Sequence, residues 1–194
     1  DMAANSHRIL IKNGHIYDPG AGIDRIGDLA MFKNRIVETL PDDGTSLMVI
    51  DAGGDLVVPG LIDFHTHVGF GSSDAAFDAD VILLPNGVTT TVDAGTRGVA
   101  NMDQMVREVV PSALTTIKCL MNVSATGLIT LKYPENIDPA HFDEAQIRYY
   151  FEQYPEIIIG LKIRLMEENL PDYANTGMRP LQQAVEMAER LGTF

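Results

Sequence analysis

The sequence predicts an α/β chain: a short β-rich module followed by the first four units of a (β/α)8, TIM-type barrel. Three observations carry this. The rhythm of the apolar runs changes at Pro59, strand and helix patterns then alternate four times, and the repeat length suits an eight-unit barrel.

From His7 to about Val58, short apolar runs alternate with turn signals: RILIKNGHIYD, then GDLAMFKNRIVETL, then SLMVIDAGGDLVVPG. Asn13-Gly14, Lys33-Asn34 and Gly53-Gly54 are expected tight turns, and residues 1–58 are read as a module of hairpins. The opening DMAANSH has neither the charged head nor the apolar stretch of a signal peptide and is read as a cloning scar or a disordered start.

After Pro59 the spacing predicts strands at 61–68, 87–95, 115–124 and 156–165, with helices at about 75–84, 101–110, 140–153 and 180–191. Asp138-Pro139 marks one helix start, Pro180 another, and Gly192 a helix end. Such alternation implies a parallel sheet with right-handed crossovers. Residues 59–194 divide into four units of about 34 residues. A full barrel of ~250 residues has roughly 31 per unit, so half a barrel is expected here. A doubly wound four-strand sheet stays open on spacing alone. It would want a glycine-rich phosphate loop, and neither G-x-G-x-x-G nor a Walker sequence occurs.

Composition narrows the partners. Fourteen Lys and Arg stand against 27 Asp and Glu, a net charge of −13 that disfavours nucleic acid and anionic membranes. No apolar run approaches the ~18–20 residues that span a bilayer. The lone Cys119, in TTIKCLMNVS, cannot form an internal disulfide and is expected to be a buried thiol, which suits a reducing, cytoplasmic setting.

The chemistry concentrates in PGLIDFHTHVG, residues 59–69. Strand side chains alternate between faces, so His65 and His67 are expected on one side, with Asp63 sharing their parity. Two imidazoles at the C-terminal end of a barrel strand can ligate one divalent ion, and that end is where barrel enzymes place their sites. In EIIIGLKIRL the same alternation sends Gly160, Lys162 and Arg164 inward and Leu161, Ile163 and Leu165 toward the helices. A buried ammonium is costly unless neutralised. Lys162 is therefore either paired with a carboxylate or converted by CO2 into an anionic carbamate able to bridge two metal ions.

Other polar groups at the strand ends carry two readings each. Arg97, which follows Asp93 in VDAGTRG, either binds a substrate carboxylate through its planar fork or faces solvent. Asn122 and Ser124 either bond substrate or close a loop. Tyr149, Tyr150, Phe151 and Tyr154 are expected in helix-to-sheet packing, and Met102, Met105 and Met121 in the core. The acids from Asp74 to Asp80 are read as a solvated helix face.

PGLIDFHTHVG resembles the first-strand signature of the amidohydrolase superfamily, and with Lys162 on the fourth strand the chain resembles its binuclear-metal branch. NGVTTTVDAGTRG (86–98) and CLMNVSATGL (119–128) look most like dihydroorotase-like deacetylases. The resemblance implies a metal-bridging hydroxide that attacks a small acetylated amide or ester. His65 and His67 would bind the more buried of two divalent ions, Zn2+ by first expectation, and a carboxylated Lys162 would bridge both. It implies that residues 1–58 are part of a small β-sandwich domain. It also implies two further histidines and a general-base aspartate beyond residue 194, since His7, His15 and His141 are badly placed to substitute.

The sequence alone therefore describes a truncated, inactive half of a metallohydrolase acting on a small molecule. Dihydroorotase-like cyclic amide hydrolysis is the alternative activity. A non-catalytic half-barrel is the alternative of another class, its open edge and apolar interior inviting an oligomer or a missing C-terminal half.

Overall fold

Eleven residues, Arg8–Asp18, form one strand (β1) that organises the first unit. The computed structural model describes residues 7–166 and 177–194, and the chain divides into two units, 1–59 and 60–194. The opening DMAANSH lies, except for His7, outside the described residues.

In the first unit β1 pairs antiparallel with β2 (Ile23–Phe32), which pairs antiparallel with β3 (Arg35–Val37). Its other edge pairs in parallel, first with β4 (Leu47–Asp51) and then with β5 (Leu56–Val57). The unit is thus only partly built of hairpins. Lys33-Asn34 is the two-residue turn between β2 and β3, and Gly53-Gly54 turns the chain between β4 and β5. Asn13-Gly14 is not a turn. It sits inside β1, where the register with β2 slips between Ile11 and Gly14. The left-handed backbone expected at Asn13 is there (φ 58°), but it builds a bulge. That bulge is held by Asp28 Oδ1, which accepts the Asn13 N–H at 3.0 Å, and by Asp51 Oδ1, which accepts the Asn13 amide at 2.9 Å.

The second unit is a parallel sheet in the order β6–β7–β8–β9: Leu61–Thr66, Val88–Ala94, Thr116–Asn122 and Ile158–Lys162. Helices lie between the strands in sequence. After β6 comes a single short turn, α1 (Ala79–Ile82), followed by a 3-10 turn. After β7 come α2 (Met102–Gln104), a π-helical stretch over Met105–Val109, and α3 (Val110–Ser112). The widening precedes Pro111, whose ring and missing N–H cannot continue an α-helical ladder. The α4 helix (Glu144–Gln153) precedes β9 and α5 (Arg179–Leu191) follows it. Glu144 joins the two helices, accepting from Arg148 at 3.0 Å and Arg190 at 2.8 Å.

The core of this unit follows the sequence pattern closely. Met102, Met105, Met121, Ile147 and Met187 are fully buried, and Leu161 and Ile163 pack against the same cluster. Cys119 is buried in β8, and burial pushes its thiol well above the ordinary range. Of the aromatic run, Tyr150 is buried and Phe151 and Tyr154 pack beside it, while Tyr149 is exposed. None of the helices among the described residues is long and apolar enough to cross a membrane.

The acids between Asp74 and Asp80 are staples, not a bare solvated face, because the helix expected there is only four residues long. Asp78 caps α1. Asp74 accepts the Leu131 N–H at 2.7 Å and the Thr130 hydroxyl at 2.8 Å. Asp80 accepts the Leu114 N–H at 2.7 Å, the Thr115 N–H at 2.8 Å and the Thr115 hydroxyl at 2.7 Å, fixing the chain as it enters β8. The Leu114 N–H and the other donors hold the Asp80 carboxyl below its ordinary value. Replacing Asp80 with Ala is expected to lower stability in urea melts by about 1–2 kcal/mol. Because the folded-state value is depressed, the difference between wild type and variant is full above pH 3.8. It should fade as pH falls through the lowered value.

Candidate metal centre

Strand β6 carries the first histidine and ends just before the second. Its pairing with β7 slips twice: Leu61 faces Val88 but Ile62 faces Thr90, and Asp63 faces Thr91 but Thr66 faces Asp93, so β6 has one extra residue around Phe64 and His65. Simple alternation therefore does not extend from His67 back to Asp63. The two imidazoles nonetheless converge, with ring centroids 5.7 Å apart and planes at 78°. The exposed His65 donates its N–H to Asp63 Oδ1 at 3.1 Å. The half-buried His67 has Nδ1 2.9 Å from the Thr96 hydroxyl.

Behind His67 lies a buried polar cluster. Asp93, 1% exposed, accepts the Val68 N–H at 2.9 Å, the Thr96 N–H at 2.8 Å and the Thr96 hydroxyl at 2.6 Å. Burial pushes the Asp93 carboxyl up, against the pull of those three donors. Burial holds His67 below the usual imidazole value, opposed by Asp93 and reinforced by His65, Lys162 and Arg164. A neutral ring at neutral pH is the form that can ligate a cation.

Lys162 ends β9 opposite Asn122. Its side chain lies across Gly95, where an added Cβ would fall 2.5 Å from Lys162 Cγ. This puts its stem against the C-terminal end of β7. Arg164, two residues on, donates to Glu135 at 2.9 Å and 2.5 Å, and Glu135 is 7% exposed.

Of the two sequence readings of Arg97, the solvent-facing one fails. It is 1% exposed, so it does not face solvent. Its guanidinium is committed inward, Nη1 to the Val68 carbonyl at 3.0 Å and Nη2 to Gln104 Oε1 at 3.3 Å. Burial lowers its affinity for a proton, and Asp93 opposes this. The buried Nε of Arg97 has no partner among the described residues. Asn122 closes a loop: 2% exposed, it donates from Nδ2 to the Gly95 carbonyl at 3.0 Å and accepts the Ser124 N–H at 2.9 Å. Among the described residues the buried Ser124 hydroxyl has no partner. Sequence reasoning missed Thr96 and Glu135. A hydroxyl three residues after a buried strand-end aspartate was the available signal for Thr96.

Among the described residues there is no group of three or more His, Cys, Asp or Glu able to hold a metal. The donor set here is two imidazoles plus the Lys162 amine, which becomes an anionic oxygen ligand only as a carbamate. The paired rings and the low proton affinity of His67 fit a divalent cation as part of a larger ligand set.

Several known proteins are similar to the chain. No family model matches the chain. A deacetylase from Agrobacterium fabrum is 33% identical over 116 residues, covering 59% of this chain and 28% of that protein. A dihydroorotase from Syntrophotalea carbinolica is 34% identical over 118 residues, covering 60% and 22%. An adenine deaminase from Listeria welshimeri is 42% identical over 84 residues, covering 43% and 14%. The chain is similar to all three, and each match spans less than a third of the relative's own length. The fold is also shared: a solved dihydroorotase superposes with a TM-score of 0.82 at 23% identity, covering 97% of this chain and 50% of the other. The sheet is accordingly the parallel sheet of that fold, and the chain spans about half the length of the solved protein.

The packing of Arg97 can be tested directly. Gly69 has φ 95°, and a Cβ there would lie 2.5 Å from Arg97 Nη2. A Gly69→Ala substitution is expected to cost about 1–3 kcal/mol in thermal or denaturant unfolding, from backbone strain and displacement of the guanidinium together.

Proposed function

We propose that this chain supplies part of the active site of a metal-dependent amidohydrolase, with His65, His67 and a carboxylated Lys162 as ligands to a pair of divalent ions. The observation that carries this reading is the convergence of the two imidazoles, 5.7 Å apart, at the end of the first strand of a parallel α/β sheet. The sequence relatives support it, since all three bear the names of enzymes that attack C–N or acyl bonds of small molecules.

When bound, divalent ions supply a nucleophilic water at neutral pH and polarise the scissile carbonyl. The chain's own residues do the rest of what is visible here. His65 and His67 present nitrogen donors from a strand end that the sheet holds rigid. Gly95 leaves room for the Lys162 stem. The buried Arg97, Asn122 and Asp93 stand behind the histidines.

The substrate class supported best is a small acetylated amide or ester, from the deacetylase relative. The dihydroorotase relative supports a cyclic amide as the second reading. The first 58 residues would form part of a small β-sandwich, and the β6–β9 sheet half of a (β/α)8 barrel. The second point is supported by the 50% coverage of the solved dihydroorotase. It is also supported by the Leu161 N–H bonding the Phe194 carbonyl at 2.7 Å along the outer edge of β9.

Purified from zinc-replete, bicarbonate-containing medium, the protein should retain divalent metal by mass spectrometry, and His65→Ala or His67→Ala should weaken retention by tenfold or more. Lys162→Ala should abolish a carbamate signal from 13C-bicarbonate. Wild-type protein that holds no metal would remove the hydrolase reading. Turnover of N- or O-acetylated acids, but not of dihydroorotate or adenine, by the protein carrying this chain would separate the substrate classes.

A further inference from the structure

We propose that Asp93 and Thr96 are positioning residues: a hydroxyl relay from the Asp93 carboxylate through Thr96 fixes His67 as its Nδ1-protonated tautomer and turns the Nε2 lone pair toward the cation site. The inference rests on His67 being a ligand, as argued above. It adds what sets that ligand's proton and orientation.

A threonine hydroxyl has one proton to give. Here it goes to Asp93 Oδ2 at 2.6 Å, in a buried setting where Thr96 is 0% exposed and no solvent competes. The contact between the same oxygen and His67 Nδ1, at 2.9 Å, is then satisfied only if Nδ1 carries hydrogen and donates. In a neutral imidazole that leaves Nε2, on the opposite side of the ring, as the free donor to a metal. The relay's direction is anchored at its far end. Asp93 Oδ1 is occupied by the Thr96 N–H and Oδ2 also by the Val68 N–H, so both oxygens act as acceptors of fixed backbone donors. Val68 directly follows His67 in the chain. One carboxylate therefore holds the backbone next to the ligand and, through the hydroxyl, the ligand ring itself. Metal-bound histidines commonly give their second nitrogen to a carboxylate or carbonyl, and loss of that partner lowers metal affinity by roughly 10–100-fold. Here a threonine stands between the two.

The test is long-range 1H–15N correlation of histidine-labelled, metal-free protein at a pH where the rings are neutral. His67 is expected as the Nδ1–H tautomer. Thr96→Ser should preserve it. Thr96→Val, which keeps the shape and removes the hydroxyl, should shift His67 toward the Nε2–H form and weaken Zn2+ binding by roughly 10–100-fold. A wild-type His67 found as Nε2–H overturns the proposal without reference to any variant, which covers the case in which Thr96→Val does not fold. So does a folded Thr96→Val protein with unchanged tautomer and Zn2+ affinity. A wild type that shows the Nδ1–H form yet binds no Zn2+ upholds the relay and overturns the metal reading instead, so the two failures are distinguishable.

Discussion

Asp93 is an ionisable group with almost no exposure to water, and burying a carboxylate costs several kcal/mol unless donors replace the lost hydration. Three donors do so here, two from Thr96 and one from Val68. Satisfying this one group welds the end of β6 to the end of β7. The oppositely charged Arg97 is buried beside it and donates to the carbonyl of the same Val68. A single residue next to His67 is thus held at its N–H by a carboxylate and at its carbonyl by a guanidinium. The position of the histidine pair depends on this clamp, because among the described residues β6 is an edge strand that pairs only with β7 within its sheet.

Much of this architecture could be read from residue order. The four strands, the methionine core and the placement of His65, His67 and Lys162 at strand ends all follow from periodicity and from the shift in rhythm at Pro59. What could not be read was the local use of permissive residues. Asn13-Gly14 has the composition of a hairpin turn, yet the same left-handed backbone serves a bulge equally well, and only long-range pairing of β1 with β4 and β5 decides between them. The extra residue in β6 is equally silent in sequence. Alternation assumes regular pairing, and nothing in LIDFHT announces where it slips.

The polar residues at strand ends show a second limit. Arg97 and Asn122 have the side chains of substrate-binding groups, and in this chain Arg97 bonds the Val68 carbonyl and Gln104, Asn122 the Gly95 carbonyl and the Ser124 N–H. Residue type tells what hydrogen bonds a group can make, but not whether a backbone group or a ligand claims them first. The histidines are different because two imidazoles whose rings converge have few structural partners to satisfy. That asymmetry makes such a pair easier to read as candidate ligands than the residues around it.

The long first strand has a consequence for how the chain acquires its shape. β1 meets β2 across a short connection, Asp18 lying opposite Ile23, whereas its parallel partners begin only at Leu47. Closing the longer loop costs more entropy and is rewarded only after its ends meet. The hairpin of β1 and β2 can therefore form early and act as a template. β4 and β5 are then laid in turn along one exposed edge, on either side of the bulge at Asn13. The kink that divides that edge becomes a marker of register during assembly, telling the late-arriving segments where one ends and the next begins.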